Sequence, residues 1–95
     1  MNSVTYAISR NGDDCQTSDL TLSAYLLLKG RPLKRWFVDS DGRRVWFLFD
    51  GYAKCEGYQR ELVNGHDSVS ATEFTRKVRA VRELARAALT GERVV

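Results

Sequence analysis

Residues 33–49 read Leu33-Lys34-Arg35-Trp36-Phe37-Val38-Asp39-Ser40-Asp41-Gly42-Arg43-Arg44-Val45-Trp46-Phe47-Leu48-Phe49. Two runs rich in Trp, Phe and Val flank an Asp-Gly pair, the composition of an antiparallel β-hairpin whose turn needs a residue tolerant of positive φ. With Asp41 and Gly42 as a two-residue loop, the register pairs Val38 with Val45, Phe37 with Trp46 and Trp36 with Phe47. Alternation then puts Trp36, Val38, Val45, Phe47 and Phe49 on one face. The other face carries Phe37, Trp46 and Leu48 beside Arg35, Arg44 and Asp39. Two strands that are apolar on both sides need covering on both sides, by the rest of the chain, a second copy or a partner.

Working outward, a helix is predicted on the N-terminal side of the hairpin. Ser18 offers a capping hydroxyl, Asp19 a first-turn carboxylate, and Leu20, Ala24, Leu27 and Leu28 follow at helical spacing before Gly30 and Pro32 stop the run. On the C-terminal side, residues 50–65 are weakly helical, with Tyr52, Cys55, Tyr58 and Leu62 three and four apart and Gly57 in their midst, the pattern of a short or broken helix. The last helix has the clearest start. Ser70 is its cap, Glu73 closes a capping box, Val69 and Phe74 are placed for a hydrophobic staple, and Gly91 terminates it after about Thr90. Its apolar face is Phe74, Val78, Val81, Ala85 and Ala88, and its basic stripe is Arg76, Arg79 and Arg86 with Arg82 at the flank.

The predicted fold is therefore α+β: an N-terminal helix, a central antiparallel hairpin, a short helix and a long amphipathic C-terminal helix. Residues 1–16 stand apart. Their short alternating piece Val4-Thr5-Tyr6-Ala7-Ile8 reads equally as a third strand or a loosely held tail. Residues 17–95 form one small domain, since 95 residues do not divide into two independent cores.

Composition narrows the function classes. A hydrophobic share of 43% and a charged share of 28% are those of a chain that folds. The longest apolar run, Ala24 to Leu28, falls far short of the roughly 20 residues that span a bilayer, and the start lacks a basic region followed by an apolar stretch, so a cytoplasmic protein without membrane contact is expected. Cys15, Cys55 and His66 are too few for a Cys/His zinc set, and no metal or cofactor is expected. No phosphate loop, nucleophile elbow or His-Glu-x-x-His motif is present. Cys55 with His66 is the one thiol and imidazole pair, without a third group to orient it, and a core cysteine beside a loop histidine is the simpler reading. The expectation is a protein that is not an enzyme.

The net charge of +3 is unevenly spread: residues 1–28 hold one cation against three aspartates, and residues 76–95 hold six cations against two glutamates. Guanidinium groups one and two turns apart on the last helix match successive phosphates of a nucleic acid, although Glu83 lies within reach of Arg79 and Arg86 and a solvated helix face explains the stripe equally well. The hairpin face with Phe37 and Trp46 between Arg35 and Arg44 has the composition of a base-stacking platform. It also has that of a protein interface, which a homodimer would satisfy most simply.

The order of these signals resembles a known family. Thr17-Ser18-Asp19 opening a helix through Ala24 and Leu26, Gly30, the Asp41-Gly42 hairpin into Val45-Trp46-Phe47-Leu48-Phe49, then Leu62-Val63-Asn64-Gly65, Val69, Ser70, Phe74 and residues 79–84 are similar to a small prokaryotic and phage domain family of unknown function, found as short stand-alone proteins. The resemblance covers residues 17–86, and its motifs are individually unspecific. It implies the order of elements and a source in bacteria, phages or mobile elements, and it transfers no catalytic residue.

The sequence thus leads to a non-enzymatic accessory protein that binds nucleic acid through Arg76, Arg79, Arg82 and Arg86 with Arg35, Arg44 and Trp46. The alternative is a protein-interaction module, a homodimer or an adaptor of a host protein, anchored on Phe37, Trp46 and Leu48.

Overall fold

The computed structural model describes residues 6–65 and 69–91. The chain forms β1 (Ser9–Asn11), β2 (Asp14–Thr17), α1 (Leu20–Leu28), β3 (Leu33–Val38), β4 (Val45–Phe49), α2 (Tyr52–Val63) and α3 (Ala71–Thr90). The four strands make one antiparallel sheet in the order β1-β2-β4-β3. The α+β class, the hairpin and the three helices are those expected.

The N-terminal helix is not the first element. Two strands precede it, and the division expected after residue 16 falls inside β2. Of the piece that reads equally as a strand or a tail, Val4 and Thr5 lie outside the described residues, and Tyr6 to Ile8 are irregular. The strands instead follow, joined by Gly12 and Asp13, with Asn11 opposite Asp14 and Gly12 at a φ of 64°. Pairing continues from β2 to β4, where Cys15 opposes Phe49 and Thr17 opposes Phe47.

The β3–β4 register is the predicted one: Val38 with Val45, Phe37 with Trp46, Trp36 with Phe47. Its turn is wider than two residues. The Asp39 amide donates to the Arg44 carbonyl and the Gly42 amide to the Asp39 carbonyl, each at 3.0 Å. The loop is thus Ser40 to Arg43, and Gly42 adopts a φ of 72° that a side chain would strain. A four-residue loop centred on the same pair keeps the parity, so every side chain keeps its face. Towards Leu33 a bulge at Lys34 shifts the ladder, and Leu33 rather than Lys34 opposes Phe49.

Asp19, not Ser18, caps α1, its carboxylate accepting the Leu22 amide at 2.8 Å. Leu22 to Leu26 are all buried, so α1 is enclosed on every side. Tyr25 stacks edge-on against Phe74 of α3 and Tyr58 of α2, and its hydroxyl donates to the Glu61 carboxylate, which Lys29 approaches to 3.2 Å. The break expected at Gly57 does not occur. Gly57 sits on the exposed side of α2, where its cost of about 1 kcal/mol is offset by burial of Cys55 and Leu62 on the opposite side. α3 begins and ends as predicted, with the Ser70 hydroxyl accepting the Glu73 amide and Gly91 left-handed at its end.

One core joins these layers. It contains Cys15, Leu22, Ala24, Tyr25, Leu26, Val45, Phe47, Phe49, Cys55, Leu62, Val81 and Ala85. From the sheet it takes the Cys15, Val45, Phe47 and Phe49 face only, so among the described residues the helices cover one face and leave the other bare.

Thr17 closes the edge of this core. Its fully buried hydroxyl donates to the Ala7 carbonyl at 2.7 Å and accepts the Asp19 amide at 3.0 Å. Thr17→Val, which fills the same space without either bond, is expected to lower stability by about 2 kcal/mol in urea denaturation, while Thr17→Ser, which keeps the hydroxyl, loses less.

Candidate functional site: the open face of the sheet

The bare face is set by alternation along the strands. β4 turns Trp46 and Leu48 to it, β3 turns Phe37 and Arg35, β2 turns Asp14 and Gln16, and β1 turns Ser9 and Asn11. Phe37 and Trp46 are directly opposed and both half-buried. The Arg35 guanidinium stands 5.3 Å from the Phe37 ring centroid and that of Arg44 5.8 Å from the Trp46 ring. Both arginines are exposed, and the aromatic pair lies between them.

Leu48 has a different role from the one expected. It is 6% exposed yet outside the helix-covered core. Gln16 and Arg35 flank it in the register, so it is sheltered by the polar side chains of its own face and is not available as a partner anchor. The apolar anchor reduces to Phe37 and Trp46.

The acidic groups here are already engaged. Asp14 holds Lys34 at 2.9 Å, and Asp39 accepts the Arg43 and Arg44 amides at 3.1 and 3.2 Å. A hydrogen bond with Asp41, and then these two amides, hold the Asp39 carboxyl below its ordinary range. Arg35, Arg43 and Arg44 form no salt bridge among the described residues. The charge left free on and beside the aromatic pair is positive.

Arg76, Arg79, Arg82 and Arg86 are exposed on α3, and Arg86 pairs with Glu83 at 3.8 Å. They do not join the hairpin residues. α3 buries Val81 and Ala85 in the core under Val45 and Phe47, whereas Arg35, Phe37, Arg44 and Trp46 face away from it. The expected composite site therefore divides into two surfaces on opposite sides of the sheet. Gln16 and Lys34 join the open face unforeseen, the first because β2 was not anticipated and the second because of the bulge. The Gly12-Asp13 pair, a two-residue hairpin signal, could have revealed β2. His66 lies outside the described residues.

No family model matches the chain, and neither does any curated protein or solved structure. What speaks for its function is the placement of these side chains.

The Asp39 carboxylate is favoured in the folded state, so its support of the turn is complete above the unfolded carboxylate value of about 3.9 and is lost as pH falls through the lower folded value. Asp39→Ala is expected to melt below the wild type at pH 7 and to approach it as the pH drops below about 4. Asp39→Asn, which retains an acceptor for the Arg43 and Arg44 amides, should recover much of the loss at pH 7.

Proposed function

We propose that the chain binds single-stranded nucleic acid across the open face of its sheet, with bases stacking on Phe37 and Trp46 and phosphates meeting Arg35, Arg43 and Arg44. The observation that carries this reading is the opposed aromatic pair held between two guanidinium groups on a face no described helix covers. Stacking accepts any base, since every base offers a ring face, and arginine can exchange its ring contact for a phosphate at little cost. The bases of a duplex are stacked within it, so a flat aromatic platform selects single strands. The α3 arginines form a second basic surface on the far side and contribute at most general attraction. The resemblance over residues 17–86 favours a bacterial, phage or mobile-element setting for this binding.

A second reading rests on the same face: another copy of the chain covers Phe37 and Trp46, making a homodimer. The place of β3 at the edge of the sheet favours it, with Phe37 on the open face and Trp36 and Val38 exposed on the opposite one, because an edge with apolar side chains invites a further strand. Pro32 before that strand, its bulge and the adjacent Lys34 and Arg35 work against such pairing, which places it second.

Fluorescence anisotropy with labelled single-stranded and duplex oligonucleotides at low salt tests the proposal. Binding of single strands is expected in the range of about 1–100 µM, falling with added salt. Trp46→Ala or Phe37→Ala should weaken it about tenfold, as loss of one stacked base does. Joint replacement of Arg76, Arg79 and Arg82 by Gln should leave most of it. No binding at about 100 µM, or binding lost with the α3 arginines but indifferent to Trp46→Ala, overturns the reading. Light scattering of the same samples tests the dimer, which Trp46→Ala would dissociate.

A further inference from the structure

Away from the open face of the sheet, α1 and α3 cross where the Tyr25 ring meets the Phe74 ring edge-on at 5.9 Å. Beside that contact the two helices leave a furrow with a cavity of about 320 Å³, lined by Thr21 of α1 and by Phe74, Thr75, Val78, Arg79 and Arg82 of α3. The α3 residues fall into two rows. Phe74 and Val78, one turn apart, are half-buried, so they pack against the core and still present an apolar lining. Thr75, Arg79 and Arg82 run beside them at i, i+4 and i+7, and all three are exposed. A second cavity of about 400 Å³ adjoins the first, sharing Thr75 and Arg79 and adding Arg76.

The rim of this furrow is positive and not neutralised. No carboxylate lines either cavity, and Glu73 lies on the other flank of α3 beside Lys77 and Leu28. Arg76, Arg79 and Arg82 enter no salt bridge among the described residues, whereas Arg86, one turn further on, is paired with Glu83. An exposed ion pair contributes little by itself in water, so the arginines alone would make a weak site. Beside an apolar lining they select a ligand that carries carboxylates next to apolar side chains. A nucleic-acid backbone would meet the arginines and leave Phe74 and Val78 against water. An amphipathic helix satisfies both rows, because its apolar and acidic residues three and four apart lie side by side. Arg76 to Arg82 spans about 9 Å along α3, so carboxylates one and two turns apart on such a helix reach all three guanidinium groups.

We infer that this furrow docks an acidic amphipathic helical segment of a partner protein, whose apolar side chains sit on Phe74 and Val78 and whose carboxylates meet Arg76, Arg79 and Arg82. The site lies on the far side of the sheet from Phe37 and Trp46, so it operates independently of nucleic-acid binding there. It gives the basic stripe of α3 an occupant of its own.

Fluorescence anisotropy of a labelled peptide about five helical turns long, with leucines three and four apart and glutamates flanking them, tests this on the full chain. Binding is expected at about 10–100 µM at low salt and should weaken as salt is added. The same residues in scrambled order, which keep the charge and lose the apolar face, should bind at least about tenfold more weakly, as should the ordered peptide with Gln for Glu. Arg79→Glu combined with Arg82→Glu should weaken binding more than about tenfold. Thr75→Trp, which keeps the net charge and places a bulky side chain between the two cavities, should weaken it about tenfold. All three positions are exposed, so the melting temperature should stay that of the wild type, and Thr75→Trp should leave oligonucleotide binding unchanged. No peptide binding at about 100 µM, equal binding of the scrambled peptide, or an affinity indifferent to Thr75→Trp overturns the inference. So does duplex DNA that binds through Arg79 and Arg82 more tightly than the peptide, a wild-type dimer that Thr75→Trp dissociates, or peptide binding that requires deletion of residues 1–5.

Discussion

Strand β4 is hydrogen-bonded on both edges, to β2 and to β3, and all five of its residues are apolar. Such a strand ordinarily belongs to a sheet buried on both faces. Here only one face is covered. Val45, Phe47 and Phe49 point into the core with α1 and α3, and Trp46 and Leu48 point away from every described helix. The remaining architecture answers that imbalance. On the inner side three helices cover a four-stranded sheet, and on the outer side Gln16 and Arg35 shelter Leu48 while Arg44 stands over Trp46. Long polar stems let an apolar face meet water without a second layer of secondary structure. The face stays exposed to a ligand because it is dressed in this way and not enclosed.

The covered side shows how a weak element is held. α2 has a glycine in its middle and no side-chain cap at its start, since its N-cap is the left-handed Gly51. Its anchoring comes from outside. The Tyr52 amide donates to the Asp13 carbonyl at 2.8 Å, the Gln59 side chain donates to the Tyr6 carbonyl at 3.2 Å, and Arg31 binds the Asp50 carbonyl just before the helix. Most of these partners lie in the residues preceding α1. The N-terminal segment is thus part of the fold's support.

Whether an element could be read from the sequence depended on how local its cause is. α3 carries its own start, stripe and stop in Ser70, Val81 to Ala85 and Gly91, so its limits were legible to the residue. The β3–β4 register was legible although its turn was not, because loops of two or four residues about the Asp41-Gly42 centre give the same parity. β1 and β2 were not. Ser9 to Thr17 is polar and poor in β-formers, with only Cys15 and Thr17 buried, and it becomes a strand pair by bonding to β4 more than 30 positions away. The candidate site was half legible for the same reason. Alternation grouped Phe37 and Trp46 with Arg35 and Arg44, whereas the separation of the α3 arginines from them depends on which face the helices cover, a property of the whole packing.

That packing also explains the charge. Two of the three aspartates that make the first 28 residues acidic are drawn into structure: Asp19 caps α1 and Asp14 holds Lys34. Asp39 is likewise occupied by its own turn. Acidic groups committed to caps, turns and pairs cannot neutralise cations elsewhere, so Arg35, Arg43 and Arg44 beside the aromatic pair stay available although the net charge is only +3. A modest net charge can accompany a locally positive face when the anions are structural and the cations are not. For an anionic polymer the decisive quantity is that local field beside a stacking surface, because phosphates interact with the cations they can reach within about 10 Å.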